Sequence, residues 1–105
     1  MYRQKDHWGT YLWGYIHTIC IIDFQDNQPF VDKTIANLIE LKNAIACPKC
    51  SKFYGEYLEK LDTIDKTESM VLFKWSVDLH NAVNRKMGKE EWSFEDALKK
   101  WTICI

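Results

Sequence analysis

Cys47-Pro48-Lys49-Cys50 is the segment of this sequence best equipped for chemistry. Two thiols three residues apart across a helix start can approach closely enough to form a short-loop disulfide. A helix N-terminus carries partial positive charge and free N–H groups, which favour a thiolate. Lys49 and Lys52 add cations nearby. These features suit a reversible dithiol–disulfide pair. They also suit half of a zinc site, or two structural thiols, and the residues alone leave these readings open. Zinc needs two more ligands, and the Cys and His candidates are Cys20, Cys104, His7, His17 and His80. None of them forms a second close pair, so a zinc ribbon or finger is not indicated. A thioredoxin-like unit is the usual home of such a pair in a cytosolic chain, but it needs strands that this sequence does not offer.

Two further clusters carry polar chemistry. Trp13 and His17 are four apart and share a helix face. An indole above an imidazole can line a slot for a planar ring, or it can be part of an aromatic-rich core helix. In His80-Asn81-Ala82-Val83-Asn84-Arg85-Lys86-Met87-Gly88-Lys89, His80 and Asn84 sit one above the other, with Asn81 a little around the cylinder. Buried polar groups need partners. A ligand rich in donors and acceptors supplies them, and so do ordinary helix–helix hydrogen bonds. The basic residues that follow suit phosphate, or simply the negative end of a helix dipole.

The elements that must hold these residues read as helices. Four glycines and two prolines punctuate 105 residues, no Asn-Gly or Asp-Gly hairpin signal occurs, and apolar residues recur at three- and four-residue steps. A first helix is predicted from about Trp8 to Ile22, capped by Asp6, with Trp8, Leu12, Tyr15, Ile19 and Ile22 in one stripe. A second starts near Pro29 and presents Val31, Ile35, Leu38, Lys42 and Ile45, widened by Ile39 and Leu41. It ends near Ala46, because the residue before Pro48 avoids the helical region. A third restarts at Pro48 and runs to about Leu61. A fourth spans about Glu68 to Met87, aligning Phe73, Val77, His80, Asn84 and Met87, and Gly88 stops it. Ser93 with Asp96 resembles a capping box opening a short fifth helix through Trp101. The expected fold is all-α, a four-helix bundle plus a short fifth helix with short connections, in one domain over residues 1–105.

Composition bounds the function. A net charge of −1, from 14 Lys+Arg against 15 Asp+Glu, gives no footprint for nucleic acid or an anionic membrane. No apolar run approaches the ~20 residues of a membrane span. The polar start lacks the pattern of a secretory signal, so the expected location is cytoplasmic.

Taken together, Trp-x-x-x-His, Cys-Pro-x-Cys and His-Asn-x-Val-Asn-x-Lys-x-Gly-Lys, in that order from Trp8 to about Trp92, resemble the Erv/ALR family of FAD-linked sulfhydryl oxidases. The resemblance implies a helical bundle with FAD at its mouth. It implies that Trp13, His17, His80, Asn81 and Asn84 contact the adenine and ribose side, with Val83 in the same motif. Lys86 and Lys89 match positions that meet the pyrophosphate, Trp92 an aromatic near the cofactor, and Gly9 a small residue beside it. The implied reaction oxidises thiols of a protein substrate, or of a dithiol carrier, and passes electrons to molecular oxygen as hydrogen peroxide. Cys47 then exchanges with substrate, and Cys50, one turn inside the helix, faces the flavin. A homodimer is also implied, and no metal.

The sequence departs from the family pattern in two ways. Val77 and Phe94 stand where many cellular members carry a structural disulfide, a closure worth about 2–4 kcal/mol. Packing is expected to replace it in part, with FAD and a second subunit supplying the rest. A tail bearing another cysteine pair is not expected, which is the pattern of short members in large DNA viruses, so host cytoplasm or virion is the expected site of action. Cys20 reads as a buried, inert thiol, and Cys104 as a shuttle thiol, an intersubunit bridge or a residue without a role, the last preferred. The alternatives are a small helical zinc-binding or protein-interaction module using the same cysteines, and a helical thiol–disulfide carrier without flavin.

Overall fold

The computed structural model describes residues 2–22, 28–45, 47–65, 68 and 70–102, with backbone alone for 2–10, 22, 28–30 and 102. Every regular element among them is helical: α1 (Tyr2–Ile22), α2 (Gln28–Leu41), α3 (Pro48–Glu59), α4 (Val71–Lys86) and α5 (Phe94–Thr102). Single 3₁₀ turns, Lys42–Ala44 and Lys60–Thr63, extend α2 and α3. The expected all-α bundle with a short fifth helix is the fold observed.

Local chemistry accounts for most boundaries. Cys47 is extended (φ −88°, ψ 117°) and Pro48 opens α3 at its first position. Gly88 follows α4 in the left-handed region (φ +70°), and the Met87 and Lys89 N–H groups close onto the last carbonyls. Ser93 Oγ accepts the Asp96 N–H at 3.1 Å and caps α5. Two starts differ from expectation. α1 begins at Tyr2, so Asp6 lies inside the helix rather than before it. Nothing between Tyr2 and Trp8 breaks a helix, and Arg3, Gln4 and Lys5 favour one. α4 begins at Val71 because Met70 adopts a left-handed φ of 60°.

α4 is the central rod. Leu72, Phe73, Trp75, Ser76, Val77, Leu79, Ala82 and Asn84 are all buried. Its main neighbour is α1, which also touches α2 and α5. The buried face of α1 holds Ile16, His17, Cys20 and Ile21, while Tyr15 is exposed. Of the expected stripe, Leu12 and Ile19 are half-buried against this core and Tyr15 is not, so the buried face is centred about one residue further round the helix. In α2 the inward residues are Val31, Thr34 and Leu38, whereas Ile39 and Lys42 face solvent. Met87, past the end of α4, is exposed as well.

Polar side chains bind the layers. The buried Tyr54 hydroxyl of α3 donates to the Leu38 carbonyl of α2 at 2.5 Å, and burial pushes its pKa upward. Trp75 Nε1 of α4 donates to the Tyr57 carbonyl of α3 at 3.0 Å. Val77 is buried, and Phe94 of α5 packs edge-on against Phe73, centroids 5.8 Å apart. Apolar contact therefore ties α5 to α4. Among the described residues no helix is long and apolar enough to cross a membrane.

Tyr54→Phe removes the hydroxyl that spans α3 and α2. It is expected to lower the unfolding free energy by about 1 kcal/mol in urea titration, with an unchanged slope.

Candidate redox and cofactor site

The cysteine pair is built by the start of α3. Cys47 is the N-cap, and its sulfur accepts the Cys50 N–H at 3.3 Å. An N–H aimed at sulfur favours negative charge there. The two Sγ atoms are 2.6 Å apart, close enough to exchange a bond between them. Exposure does not separate their roles, since both are half-buried. Ser51 Oγ donates to the Lys42 carbonyl at 3.3 Å and fastens this first turn to the end of α2.

A second constellation lies between α1, α4 and α5. His17 is 1% exposed, in the core of the bundle. Its Nδ1 lies 2.9 Å from Ser76 Oγ and its Nε2 lies 2.9 Å from His80 Nδ1. Trp13 lies flat on His80, centroids 3.8 Å apart and planes within 5°. That stack closes the slot expected above His17, because 3.8 Å is direct ring contact. Trp101 of α5 covers His17 at 4.9 Å. His17, His80, Asn81, Trp92, Lys100 and Trp101 line a small open cleft together with Val77 and Ala97.

Both imidazoles are neutral near pH 7. Burial, then the nearby His80 and Lys100, lowers the His17 pKa to about 3. Burial, then Lys100 and Lys89, lowers that of His80 to about 4.

The remaining expected residues fall into distinct places. Asn81 Oδ1 accepts the Trp92 N–H, and Asn81 Nδ2 donates to the Trp92 carbonyl, both at 2.7 Å. Its amide thus holds the backbone that presents the Trp92 ring to the cleft. Asn84 is buried, and among the described residues its side-chain amide has no hydrogen-bond partner. Val83 is half-buried beside it. Lys86 Nζ lies over the Phe53 ring, 3.9 Å from its centre, one turn along α3 from Cys50. The end of α4 that follows Asn84 therefore meets the helix that carries the cysteines, although Cys47 and Cys50 do not line the cleft. Lys89 is exposed, with its N–H on the Asn84 carbonyl. Gly9 sits in the α1 backbone, but its surroundings lie outside the described residues, as does Cys104. Cys20 is fully buried. No three Cys, His, Asp or Glu side chains converge on a metal site among the described residues, so the zinc alternative finds no ligand set there.

Ser76, Lys100 and Trp101 are not among the residues expected from sequence. Ser76 had one local sign, its position four before His80. Lys100 Nζ lies over both Trp92 and Trp101, at 4.9 and 5.2 Å from the ring centres. No local pattern announces that bracket.

The sequence profile of the Erv1 / Alr family matches residues 10–102. The chain belongs to that family. It is 29% identical over 102 residues to a "probable FAD-linked sulfhydryl oxidase" of Acanthamoeba polyphaga mimivirus, covering 91% of this chain and 69% of the relative. No solved structure matches the chain. The match takes in Trp13, His17, both cysteines of the pair and the whole of α4.

The two histidines set a pH dependence for this Erv1 / Alr chain. Their folded pKa values lie below the ordinary 6.5. Between pH 6.5 and about 3 the unfolded chain binds protons that the folded chain does not, so their stability contribution is complete above 6.5 and falls with pH below it. Circular-dichroism melts should show a falling Tm across that window. A His17→Gln variant should have a lower Tm at pH 7 and a shallower decline.

Proposed function

We propose that this chain is an FAD-dependent thiol oxidase, converting paired thiols of a protein substrate or dithiol carrier to a disulfide while oxygen is reduced to hydrogen peroxide. Membership of the Erv1 / Alr family and the viral relative support the oxidase class. The observation that carries the reading for this chain is the adjacent sulfur pair, held at the start of α3 and half open to solvent.

The residues can perform the exchange. A substrate thiolate attacks Cys47 Sγ of the disulfide form, the Cys47–Cys50 bond breaks, and Cys50 leaves as a thiolate. A second substrate thiolate then attacks the substrate sulfur of the mixed disulfide and displaces Cys47. The Cys50 N–H that reaches Cys47 stabilises the departing thiolate in that second step. The product disulfide has given two electrons to Cys47 and Cys50, which must lose them to act again. Bound FAD supplies the two-electron chemistry that side chains lack.

The cleft offers groups that fit such a cofactor. Asn84 is not part of the cleft lining, but its buried amide has no hydrogen-bond partner among the described residues, a need that a ligand with donors and acceptors would meet. Trp92 and Trp101 present aromatic faces, and Lys100 a cation suited to phosphate. The cleft has about 40 Å³ of free interior, enough for about one water, so its residues would touch only part of a dinucleotide. Lys86, placed on Phe53, stands on the side of α4 that meets α3. We extend the proposal to a second copy of the chain as partner, for which exposed Tyr15 and Ile39 offer apolar surface. We further propose action in host cytoplasm or the virion, supported by the viral source of the relative.

The purified chain should be yellow and release FAD on denaturation. Cys50→Ser should keep the colour and lose at least a hundredfold in oxygen uptake with a small dithiol. Parental uptake in that variant overturns the reading, and so does a colourless protein that gives up zinc to a chelator.

A further inference from the structure

The ring positions of His17 and His80 carry more information than their burial. Ser76 Oγ lies 2.7 Å from the Phe73 carbonyl oxygen and 2.9 Å from His17 Nδ1. A carbonyl only accepts, so the single hydroxyl proton of Ser76 is committed to Phe73. The bond to His17 must then run the other way, with Nδ1–H donating to Ser76 Oγ. A neutral imidazole with its proton on Nδ1 has a bare Nε2. His17 Nε2 therefore accepts from His80 Nδ1, 2.9 Å away. His80 in turn carries its proton on Nδ1, which leaves its own Nε2 bare. Among the described residues nothing donates to that nitrogen. His80 lines the open cleft with Asn81, Trp92, Lys100 and Trp101.

We propose that Ser76 is a positioning residue: through His17 it fixes the tautomer of His80, so that His80 presents the cleft with a hydrogen-bond acceptor rather than a donor. The ligand chemistry this selects is a group bearing N–H or O–H, such as an exocyclic amine or a hydroxyl. Its use for the cofactor rests on the oxidase reading above.

The geometry makes the relay directional. Phe73 and Ser76 are on α4, His17 on α1, and His80 one turn beyond Ser76 on α4, so the chain of donors crosses the helix interface and returns. Three facts keep it in one state. Ser76 is fully buried, so its hydroxyl is shut off from bulk solvent. Trp13 stacked on His80 and Trp101 against His17 hold both rings in plane. The charged groups facing the pair are Lys100 of α5 and Lys89 after α4, both cationic, and each opposes a second proton on His80.

The test is the protonation of the ring nitrogens, read by ¹⁵N–¹H correlation on the ¹⁵N-labelled full chain at pH 7.5. Both His17 and His80 should be protonated at Nδ1 and bare at Nε2. His80 protonated at Nε2 overturns the relay outright, and this result needs no variant. In Ser76→Ala the His80 signals should shift to a mixture of tautomers and the Kd for FAD should rise about tenfold. Ser76→Thr, which keeps a hydroxyl able to bond back to Phe73, should restore both. An alanine variant with parental tautomers overturns the assignment, whether its FAD affinity is parental or reduced, because a loss of affinity alone is what a packing defect gives. The oxidase reading is judged separately. A yellow parent with His80 protonated at Nε2 refutes the relay alone. A parent that never takes up FAD, yet shows both rings protonated at Nδ1, supports the relay and refutes the cofactor.

Discussion

The structure depends on a polar group placed where an apolar one is normal. His17 is surrounded by core side chains, and an imidazole there is tolerable only if it is uncharged and both nitrogens are engaged. Ser76 and His80 meet that demand from α4, so α1 and α4 are held in one register by hydrogen bonds rather than by shape alone. Apolar neighbours such as Ile16, Phe73 and Leu79 supply the burial energy. The polar link determines which rotation of α1 that energy stabilises. The cleft is a by-product of this arrangement: a buried histidine brings a second one to the rim, and Trp13 and Trp101 flank them.

The sulfur pair is built on a different principle. It uses the end of a helix instead of its side. Pro48 sets the first turn of α3 and Cys47 occupies the capping position, so one reactive atom is also a structural acceptor. Phe53 and Tyr57, further along α3, reach α4 through Lys86 and Trp75. The exchange chemistry and the aromatic cleft are thus mounted on helices that share α4 as their common support.

Much of this was legible in the sequence, and the reasons are local. Pro48, Gly88 and Ser93 act within a few residues of themselves, so the ends they mark fall where expected. The i, i+4 spacing of Trp13 and His17, and the motif around His80, brought forward residues that do gather in space. What the sequence did not yield depends on distant packing. Ser76 meets His17 across 59 positions, and Lys100 reaches Trp92 only because α5 folds back. The inward face of α1 was legible in part: Leu12 and Ile19 of the expected stripe do pack against the core, while Tyr15 is exposed and the fully buried residues are Ile16, Cys20 and Ile21. Asn81 was placed correctly in the helix, but its bonds to Trp92 require knowing where the following loop returns.

That return has a consequence of its own. One amide side chain gives Trp92 both bonds that a neighbouring strand would give, so it works as a single rung of a ladder inside an all-helical protein. With Arg85 also bridged to Glu91 at 2.6 Å, the span from 85 to 92 is a closed hoop of fixed circumference. Such a hoop has little slack: one inserted or deleted residue between Gly88 and Trp92 would unhook the rung and swing the indole off the rim. Variation in length here should therefore be far less tolerated than substitution of the exposed side chains along it.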